Sequence, residues 1–326
     1  MTRQGEVMKS VLITGGEGYL GRHIRLAIES AGIRAVSLDR SAPAKDRPSA
    51  SSFVGCISHT QLIEQIIEDF DVSGVIHVAG SKSTANSLSK PQEYYTNNVH
   101  GSFELFRAAL RAGVKRIVFT SSAAVYGPFD VPAREHDKAR PRTPYGRSKL
   151  LAEQLLASMC THANATYAIL RCFNIAGQNA LFSSHYRRAS DLFSVTASAF
   201  EASPNRIDVH GTDYPTHDGT CVRDFVHVDD VSEAHVLALA YLWEGGRSCL
   251  VNCGTGYGAS VLDVIAAFET ATGRTLCRRP TARRPGDVPL SIADTSLMAA
   301  RLGWSPSRSD LLSLVHSTIA VGTQER

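Results

Sequence analysis

"SVLITGGEGYLGRH", residues 10–23, joins an apolar, β-branched run to a stretch with helical spacing. Gly15, Gly18 and Gly21 lie directly after the predicted strand and at the start of the predicted helix. Glycines in this context permit a tight turn and let a pyrophosphate approach the positive end of the helix. A tight turn without a ligand is the simpler alternative. The strand before the glycines and the helix after them favour a dinucleotide-binding unit.

The first half of the chain repeats this strand-then-helix order. Short β-branched runs alternate with stretches whose apolar residues recur at helical spacing. The runs predicted as strands are SVLIT (10–14), RAVSLD (34–39), GVIHVAG (74–80), RIVFTSS (116–122) and TYAILRCFN (166–174). This alternation is typical of a parallel sheet with helices on both faces and right-handed crossovers. We therefore expect an α/β protein with a Rossmann-type doubly wound parallel sheet.

The rhythm breaks after about residue 175. The segment NALFSSHYRRASDLF is polar and irregular, and strand and helix patterns then return in shorter pieces, with a helical tail from residue 294. We predict a dinucleotide-binding domain over 1–174 plus about 225–250. A smaller, discontinuous C-terminal α/β substrate lobe is expected over about 175–224 plus 251–326.

Composition excludes several classes of protein. The 34 Lys and Arg nearly balance the 31 Asp and Glu, and no basic stripe carries interleaved aromatic residues, so we expect no nucleic-acid partner. No apolar run approaches the ~18 residues that span a bilayer, and MTRQGEVMKS has no signal-peptide core, so we expect a cytoplasmic protein and no membrane contact. The seven cysteines form no CxxC pair, and the twelve histidines lack metal-site spacing. Reduced thiols and no metal are expected.

Asp39 closes the second predicted strand, 18 residues beyond Gly21. A carboxylate there can accept hydrogen bonds from the adenosine ribose and would repel a 2′-phosphate, which favours NAD over NADP. Arg40 weakens this inference, because an arginine could receive that phosphate. A turn residue at a strand end is the alternative for Asp39. We expect NAD.

Tyr145 and Lys149 stand four residues apart in TPYGRSK (143–149), so they share one face of a predicted helix. Bringing a tyrosine from a pKa near ~10 to neutrality requires about 4 kcal/mol of preferential phenolate stabilisation, part of which an ammonium can supply. Such a phenol is a suitable general base. An ordinary surface pair is the alternative. FTSSAAVYG (119–127) favours catalysis, because it places Ser122 where a strand ends at the expected ligand edge of the sheet.

Taken together, the glycine loop, Ser122, Tyr145 and Lys149 resemble the extended short-chain dehydrogenase/reductase superfamily. Within it, the chain is similar to the NAD-dependent UDP-glucose/UDP-galactose (UDP-hexose) 4-epimerases over roughly residues 9–305. The motifs that carry this resemblance are GGEGYLGRH, HVAG with K…S…KPQEYYTNNVHG, SSAAVYG, PYGRSK, FN…G, DGTCVRDFVHVDD, NCGTGYGASVLDVI and RRPGD.

The resemblance implies an isomerase that keeps NAD tightly bound and inverts C4 of a nucleotide sugar through a transient 4-keto sugar. Tyr145 would take the proton of the sugar 4-hydroxyl while hydride passes from C4 to NAD, and Ser122 would bond the same oxygen. Lys149 would hold the nicotinamide ribose and lower the pKa of Tyr145. The implied cofactor contacts are Gly15, Gly18, Tyr19, Leu20, Gly21, Asp39, Arg40, Ala79, Lys82, Asn97, Tyr145, Lys149 and Phe173.

The resemblance also implies a set of substrate contacts. Asn174, Arg223 and Arg284 match contacts to the diphosphate, and Asp287 matches one to its ribose. Paired arginines suit a diphosphate, although solvated surface charges are the alternative for each. The full set is Lys82, Ser122, Ala123, Ala124, Tyr145, Asn174, Asp191, His210, Arg223, Arg284, Asp287 and Ser291.

Several positions depart from the family pattern. Ala124 replaces a threonine, Cys172 replaces a tyrosine beside the site, and Cys56 replaces an aspartate that reaches the adenine. Asp191 stands where the family has asparagine or histidine near the nucleotide, and His210 stands where an aromatic residue packs near uracil. The predicted catalytic residues match the family pattern, whereas several of the predicted substrate-contacting residues differ from it.

Two further features bear on the substrate. Ser291 aligns with a position whose bulk limits the sugar pocket, so a small residue there predicts access for N-acetylated or larger sugars. The segment 175–191 is shorter than in typical members. We expect a working epimerase on a UDP-sugar, and, by analogy with the family, a homodimer formed through two helices per subunit.

Three other functions compete with this interpretation. A dehydratase or decarboxylating relative carries an acidic residue beside the strand-end hydroxyl, where this chain has Ala123 and Ala124. A simple keto-reductase exchanges its cofactor with solvent, so tight retention of NAD would exclude that function. A non-catalytic dinucleotide-binding sensor would not require Ser122, Tyr145 and Lys149 together.

Overall fold

The computed structural model describes residues 9–43, 51–128, 132–179, 181–182 and 191–323. A seven-stranded sheet has the order β11-β6-β5-β4-β1-β2-β3, and the pairs β1–β2, β1–β4, β2–β3 and β4–β5 are parallel. Its strands are β1 (Ser10–Thr14), β2 (Arg34–Asp39), β3 (Ser52–Val54), β4 (Val72–His77), β5 (Arg116–Ser122), β6 (Thr166–Cys172) and β11 (Cys249–Cys253). The predicted mostly parallel Rossmann-type sheet is confirmed.

Helices connect these strands. In the second of them, Ile63, Ile66 and Ile67 are buried at the spacing of one helix face, which explains why this sequence packs as a helix. The helices are α1 (Tyr19–Ser30), α2 (Thr60–Asp69), α3 (Thr84–Ser89), α4 (Pro91–Tyr94), α5 (Gly101–Arg111), α6 (Pro144–His162) and α8 (Val228–Trp243). A π-helix, Tyr95–His100, precedes α5, and a 3₁₀ helix, Ala123–Val125, follows β5.

The remaining elements of the described residues are short strands and four helices. Small sheets have the orders β10-β7, β12-β9-β14 and β13-β8. The strands are β7 (Asn174–Ala176), β8 (Arg206–His210), β9 (Val222–Arg223), β10 (Phe225–His227), β12 (Ala259–Ser260), β13 (Cys277–Thr281) and β14 (Leu290–Ser291). The helices are α7 (Leu192–Glu201), α9 (Val261–Thr272), α10 (Ser296–Leu302) and α11 (Leu311–Thr323).

The chain divides into two compact units. The first comprises Met1–Ser121, Arg147–Leu170 and His235–Leu250, and the second Ser122–Gly146, Arg171–Ala234 and Val251–Arg326. Each has an apolar core of its own. Compactness groups 122–146 with the second unit, whereas the sequence-based boundaries assign that segment to the first. Those boundaries stay a prediction about folding units.

Local differences from the expected elements have physical reasons. The stretch 166–174, predicted as one strand, forms two strands. The N–H of Phe173 donates to the carbonyl of Cys253, whereas the N–H of the next residue, Asn174, donates to the carbonyl of Asp224. The predicted helix NNVHGSFELFRAALRAG begins in a π-helix. Most of the irregular segment near 180–190 lies outside the described residues. Within the described chain, no helix is long and apolar enough to cross a membrane.

Candidate active site

The glycine loop of the first unit depends on backbone conformation. Gly15 has φ +73°, and its N–H donates to the carbonyl of Leu38 at 2.8 Å. A Cβ at Gly15 would lie 2.8 Å from Cα of Ala79, so only glycine fits. Gly18 is the N-cap of α1, and no side chain forms a capping hydrogen bond there. The first-turn N–H groups therefore suit a dinucleotide pyrophosphate.

Asp39 ties the end of β2 to this loop. Its Oδ2 accepts from the N–H of Glu17 at 3.1 Å, and its Oδ1 accepts from the N–H of Ser41 at 2.9 Å. These contacts confirm that Asp39 shapes a turn. A carboxylate has about four acceptor positions, so both oxygens can still receive ribose hydroxyls. The ribose contacts of Asp39 and of the exposed Arg40 stay predictions.

The other predicted cofactor residues fall in several elements. Tyr19 and Leu20 open α1, and Nζ of Lys82 lies 5.8 Å from the Tyr19 ring centroid. The N–H of Ala79 donates to the carbonyl of Thr14 at 3.0 Å, beside the glycine loop. Phe173, in contrast, belongs to the second unit and is buried there. Four of these five predicted contacts therefore lie in one compact unit.

The π-helix supplies an anchor that the sequence analysis missed. Nδ2 of Asn98 donates to the carbonyl of Ser81 and to Oγ of Ser148, each at 3.0 Å, and its Oδ1 accepts from the N–H of Ser81 at 2.7 Å. Asn97, a predicted cofactor residue, donates to Oγ of Ser81 at 3.1 Å. Asn98 thus fixes the loop after β4 to α6, one residue before Lys149. π-Helical turns concentrate at functional sites.

His77 joins this network from β4. Oγ of Ser102 donates to the carbonyl of Asn98 at 2.6 Å, so it accepts from Nε2–H of His77 at 2.8 Å. Nδ1 of His77 is therefore the acceptor for the Thr14 hydroxyl at 2.7 Å. Burial, and then the charge of Lys149, hold the pKa of His77 well below its ordinary value. The imidazole is neutral, as this chain of hydrogen bonds requires.

Helix α6 carries the predicted catalytic pair. Tyr145 lies in its first turn, where Oγ1 of Thr143 accepts from the N–H of Gly146 at 3.2 Å. Lys149 follows one turn later and is 6% exposed. Its Nζ donates to the carbonyl of Thr120 at 2.8 Å and lies 4.8 Å from the Phe119 ring centroid. A buried ammonium fixed in this way can act on a neighbouring phenol through its charge.

Ser122 ends β5 and caps the 3₁₀ helix that follows. Its Oγ accepts from the N–H of Ala124 at 3.2 Å, and the hydroxyl keeps its own proton to donate. Ala123 and Ala124 are half-buried in that helix. The residues directly after Ser122 therefore bring no acidic side chain.

The second unit brings several predicted substrate residues together. Nη1 of Arg223 donates to the carbonyls of Val222 and Val288, at 2.9 and 2.7 Å, and its Nη2 lies 3.8 Å from Oδ1 of Asp287. Ser291 is the parallel-strand partner of Arg223. The Arg223 side chain is 14% exposed, so an anion would meet a guanidinium held in place.

A buried carboxylate organises these strands, and sequence reasoning did not find it. Asp224 accepts from the N–H and hydroxyl of Thr255 and from the N–H groups of Gly256 and Ala293. Burial raises its pKa, and these hydrogen bonds oppose the shift. The carbonyl of Asp224 also accepts from the N–H of Asn174, whose side chain is exposed. Asp224 thus fixes the main chain beside two predicted substrate contacts.

The remaining predicted substrate residues have visible structural roles. Asp191 caps α7: its Oδ1 accepts from the N–H of Ser194 at 3.1 Å, and its Oδ2 from the Ser194 hydroxyl at 2.8 Å. His210 ends β8, with Nδ1 2.9 Å from Oγ1 of Thr281. Arg284 is exposed, and its carbonyl accepts from the N–H of Asp287 in a turn. Their contacts with a nucleotide stay predictions.

The cysteines are free thiols, and one group of possible metal ligands has hydrogen-bond partners of its own. No disulfide joins any of the seven cysteines. The Cys172 and Cys253 thiols form a hydrogen bond. This bond and burial raise the pKa of Cys253. His217, Asp218 and Asp263 place ligand atoms within 4.8 Å of one another, but both carboxylates accept hydrogen bonds from Ser260. Those bonds account for the two acidic residues as cap and turn residues.

Comparisons with known proteins agree with this geometry. The family described as "NAD dependent epimerase/dehydratase family" matches residues 11–254. The UDP-glucose 4-epimerase of Azospirillum brasilense is 40% identical over 98% of this chain and 94% of its own length. A UDP-glucose-4-epimerase from Stenotrophomonas maltophila, with bound NAD and formylated UDP-arabinopyranose, has a TM-score of 0.88 at 36% identity, covering 96% of this chain and 97% of that one. The UDP-Glc/GlcNAc 4-epimerase of Campylobacter jejuni has a TM-score of 0.82 at 32% identity, covering 97% and 99%.

Proposed function

Because the chain belongs to the NAD dependent epimerase/dehydratase family, we infer that it is a nucleotide-sugar 4-epimerase, an NAD-dependent isomerase. Its substrates are C4-epimeric UDP-sugars of the UDP-glucose and UDP-galactose type. The observation that carries this conclusion is Lys149, a buried ammonium bonded to the end of β5 and one helical turn after Tyr145. Full-length similarity to UDP-glucose 4-epimerases supports it.

The glycine loop is the part of the chain that fits the cofactor. A left-handed Gly15 that excludes a Cβ, and an α1 N-terminus with no side-chain cap, suit a pyrophosphate. Gly15, Gly18, Asp39, Lys82 and Asn97 would hold NAD. When bound, NAD supplies the acceptor and donor of hydride at C4 of the sugar.

Tyr145 is the proposed general base and acid. Its phenolate takes the proton of the 4-hydroxyl and later returns a proton to that oxygen on the inverted sugar. Lys149 holds a positive charge one helical turn away, which favours the phenolate. Ser122 donates to the same sugar oxygen with the proton that its hydroxyl retains. Ala123 and Ala124 offer no acid for an elimination, which argues against a dehydratase.

The second unit is proposed to bind the nucleotide diphosphate. Arg223 presents a guanidinium that is already anchored to two carbonyls, and Arg284 adds a second positive charge. Asn174 and Asp287 complete the contacts. We propose that Ser291, which is small and buried opposite Arg223, leaves room for an N-acetyl group on the sugar.

We also propose a homodimer and a cytoplasmic location. Family members pair through two helices, and α6 exposes Leu151 on its surface. Seven cysteines without a disulfide agree with a reducing compartment. Light scattering of the purified protein tests the dimer, and Leu151→Glu is expected to give a monomer.

The deciding experiment is NMR of the purified protein, without added cofactor, with UDP-glucose, UDP-galactose and their N-acetylated counterparts. We expect conversion to the C4 epimer by resident NAD. Tyr145→Phe is expected to lower turnover by at least about a hundredfold while NAD stays bound, because proton transfer is lost and the fold is not. Undiminished activity in Tyr145→Phe would reject the mechanism. Released NAD with no sugar conversion would reject the substrate assignment.

A further inference from the structure

Glu153 is a buried carboxylate that has no part in the roles proposed above. It lies on α6, four residues after Lys149 and eight after Tyr145, so the three follow one another along one helix face. Glu153 is 4% exposed. Ionisable side chains are rarely buried to this degree without a specific partner.

The partner is β5, at the point where the strand leads into the site. Oγ of Ser121 donates a hydrogen bond to Oε1 of Glu153. One residue earlier, the carbonyl of Thr120 accepts from Nζ of Lys149 at 2.8 Å. Helix α6 therefore holds two consecutive residues of β5, and the next residue is Ser122.

The strand is held on its other face as well. Successive side chains of a strand point to opposite faces, and Oγ1 of Thr120 lies 2.8 Å from Nε2 of His235 on α8. The last two residues before Ser122 are thus anchored on both faces of β5. The main chain entering Ser122 has little freedom to turn.

The hydrogen bond from Ser121 does not by itself require a carboxylate. A glutamine carbonyl accepts the same bond without the cost of desolvating a charge. What only Glu153 adds is a negative charge on the helix face that carries the Lys149 ammonium. Two imidazoles lie in this region among the described residues: His77 of β4, which is neutral, and His235, whose Nε2 lies 2.8 Å from the Thr120 hydroxyl.

We propose that Glu153 is a positioning residue of the epimerase: its carboxylate holds Ser121, and with it the chain entering Ser122, while its charge balances the Lys149 ammonium. This inference rests on the proposed function, because it presumes the roles of Ser122, Tyr145 and Lys149. Glu153 acts through Ser121 and Lys149 and does not take part in the chemistry itself.

The first test is Glu153→Gln, with kcat and KM measured across pH on protein loaded with its resident NAD. Removing a negative charge lets nearby groups lose protons more readily, so both limbs of the kcat profile move to lower pH by about one unit. On the alkaline side of the optimum, kcat falls roughly tenfold. KM stays within about twofold and the NAD content is unchanged, because the nucleotide contacts are elsewhere.

Ser121→Ala is the second test, because it removes the hydrogen bond to Glu153 and keeps the carboxylate. Without the Ser121 hydroxyl, Glu153 no longer holds the chain that enters Ser122, so kcat is expected to fall roughly tenfold while KM stays within about twofold. Asp230→Asn is the matched control. Asp230 is 1% exposed and accepts from the Ser309 hydroxyl at 2.5 Å. Its replacement is expected to lower thermal stability and leave the pH profile unmoved.

A wild-type pH profile in Glu153→Gln, or a wild-type kcat in Ser121→Ala, overturns the proposal. Should Glu153→Gln fail to fold, an unchanged kcat in Ser121→Ala overturns it alone. A shifted profile in the Asp230→Asn control also overturns it, since any lost buried charge would then suffice. An inactive wild-type protein rejects the proposed function, whereas an active one with wild-type kinetics in both variants rejects only the role of Glu153.

Discussion

The first unit, where we propose that NAD binds, and the second, where we propose that the nucleotide sugar binds, are built in different ways. In the first unit, the glycine loop depends on the backbone of Gly15, and Asn98 and His77 belong to one buried polar network. In the second unit, Asn174 and Arg284 are exposed. Each buried polar group requires its partner, whereas an exposed side chain can be replaced at little cost to folding. The departures from the family pattern do not follow exposure, because Cys172 and Ser291 are buried, whereas Cys56, in the first unit, is exposed.

Gly15→Ala is the most severe test of the cofactor end. An alanine would combine a left-handed φ with a Cβ against the Ala79 backbone, and we expect a loss of about 3 kcal/mol of stability together with the resident NAD. Gly32→Ala is the matched control, because Gly32 has φ +74° and open space around it. It should cost only about 1 kcal/mol and retain NAD. Thermal unfolding and the NAD released by denaturation measure both.

Arg223→Lys tests the nucleotide-sugar end. A lysine cannot bond two carbonyls and a diphosphate with one planar group, so we expect KM to rise roughly tenfold and kcat to change little. Steady-state kinetics with a UDP-sugar measure the change. Arg279→Lys, at an exposed arginine paired with Asp208, is the control and should leave KM unchanged. An unchanged KM in Arg223→Lys would exclude Arg223 from the diphosphate site.

The buried network of the first unit predicts a pH dependence of stability. The pKa of His77 is held well below 6.5, so below that pH the unfolded chain binds a proton that the folded chain does not. The free energy of unfolding should therefore fall as pH drops from 6.5 towards the folded-state pKa, by at most about 1.4 kcal/mol per pH unit from this group. Denaturant unfolding of wild type and His77→Gln measures the difference. Equal slopes would contradict the neutral imidazole.

Asp191→Asn is expected to have the smallest effect. Asparagine caps a helix as well as aspartate does, so stability should change by only a few tenths of a kcal/mol. Removing a carboxylate beside a diphosphate should lower KM about twofold. An unchanged KM would leave Asp191 as a cap alone. Asp191→Ala should cost about 1 kcal/mol through loss of the cap.

Much of the fold and part of the candidate site can be predicted from local spacing. The strand–glycine–helix order at 10–23 and the four-residue spacing of Tyr145 and Lys149 each lie within one or two elements. The π-helix around Asn98 could not be predicted, because its neighbours Ser81 and Ser148 are 17 and 50 residues away. The adjacent pair Asn97 and Asn98 is the only local feature of the sequence that could have drawn attention to this anchor.

By itself, the sequence determined the parallel α/β class, the glycine loop and the helix that carries Tyr145 and Lys149, because backbone propensity and residue spacing act over a few positions. Only the tertiary structure decided which buried polar groups support them. Glu153 meets Ser121 across 32 residues, and Asp224 meets Thr255 and Ala293 across 31 and 69. Such pairs follow from packing between elements. A carboxylate in the sequence looks the same whether it faces solvent or is buried against a hydroxyl, and burial is what makes its partner obligatory.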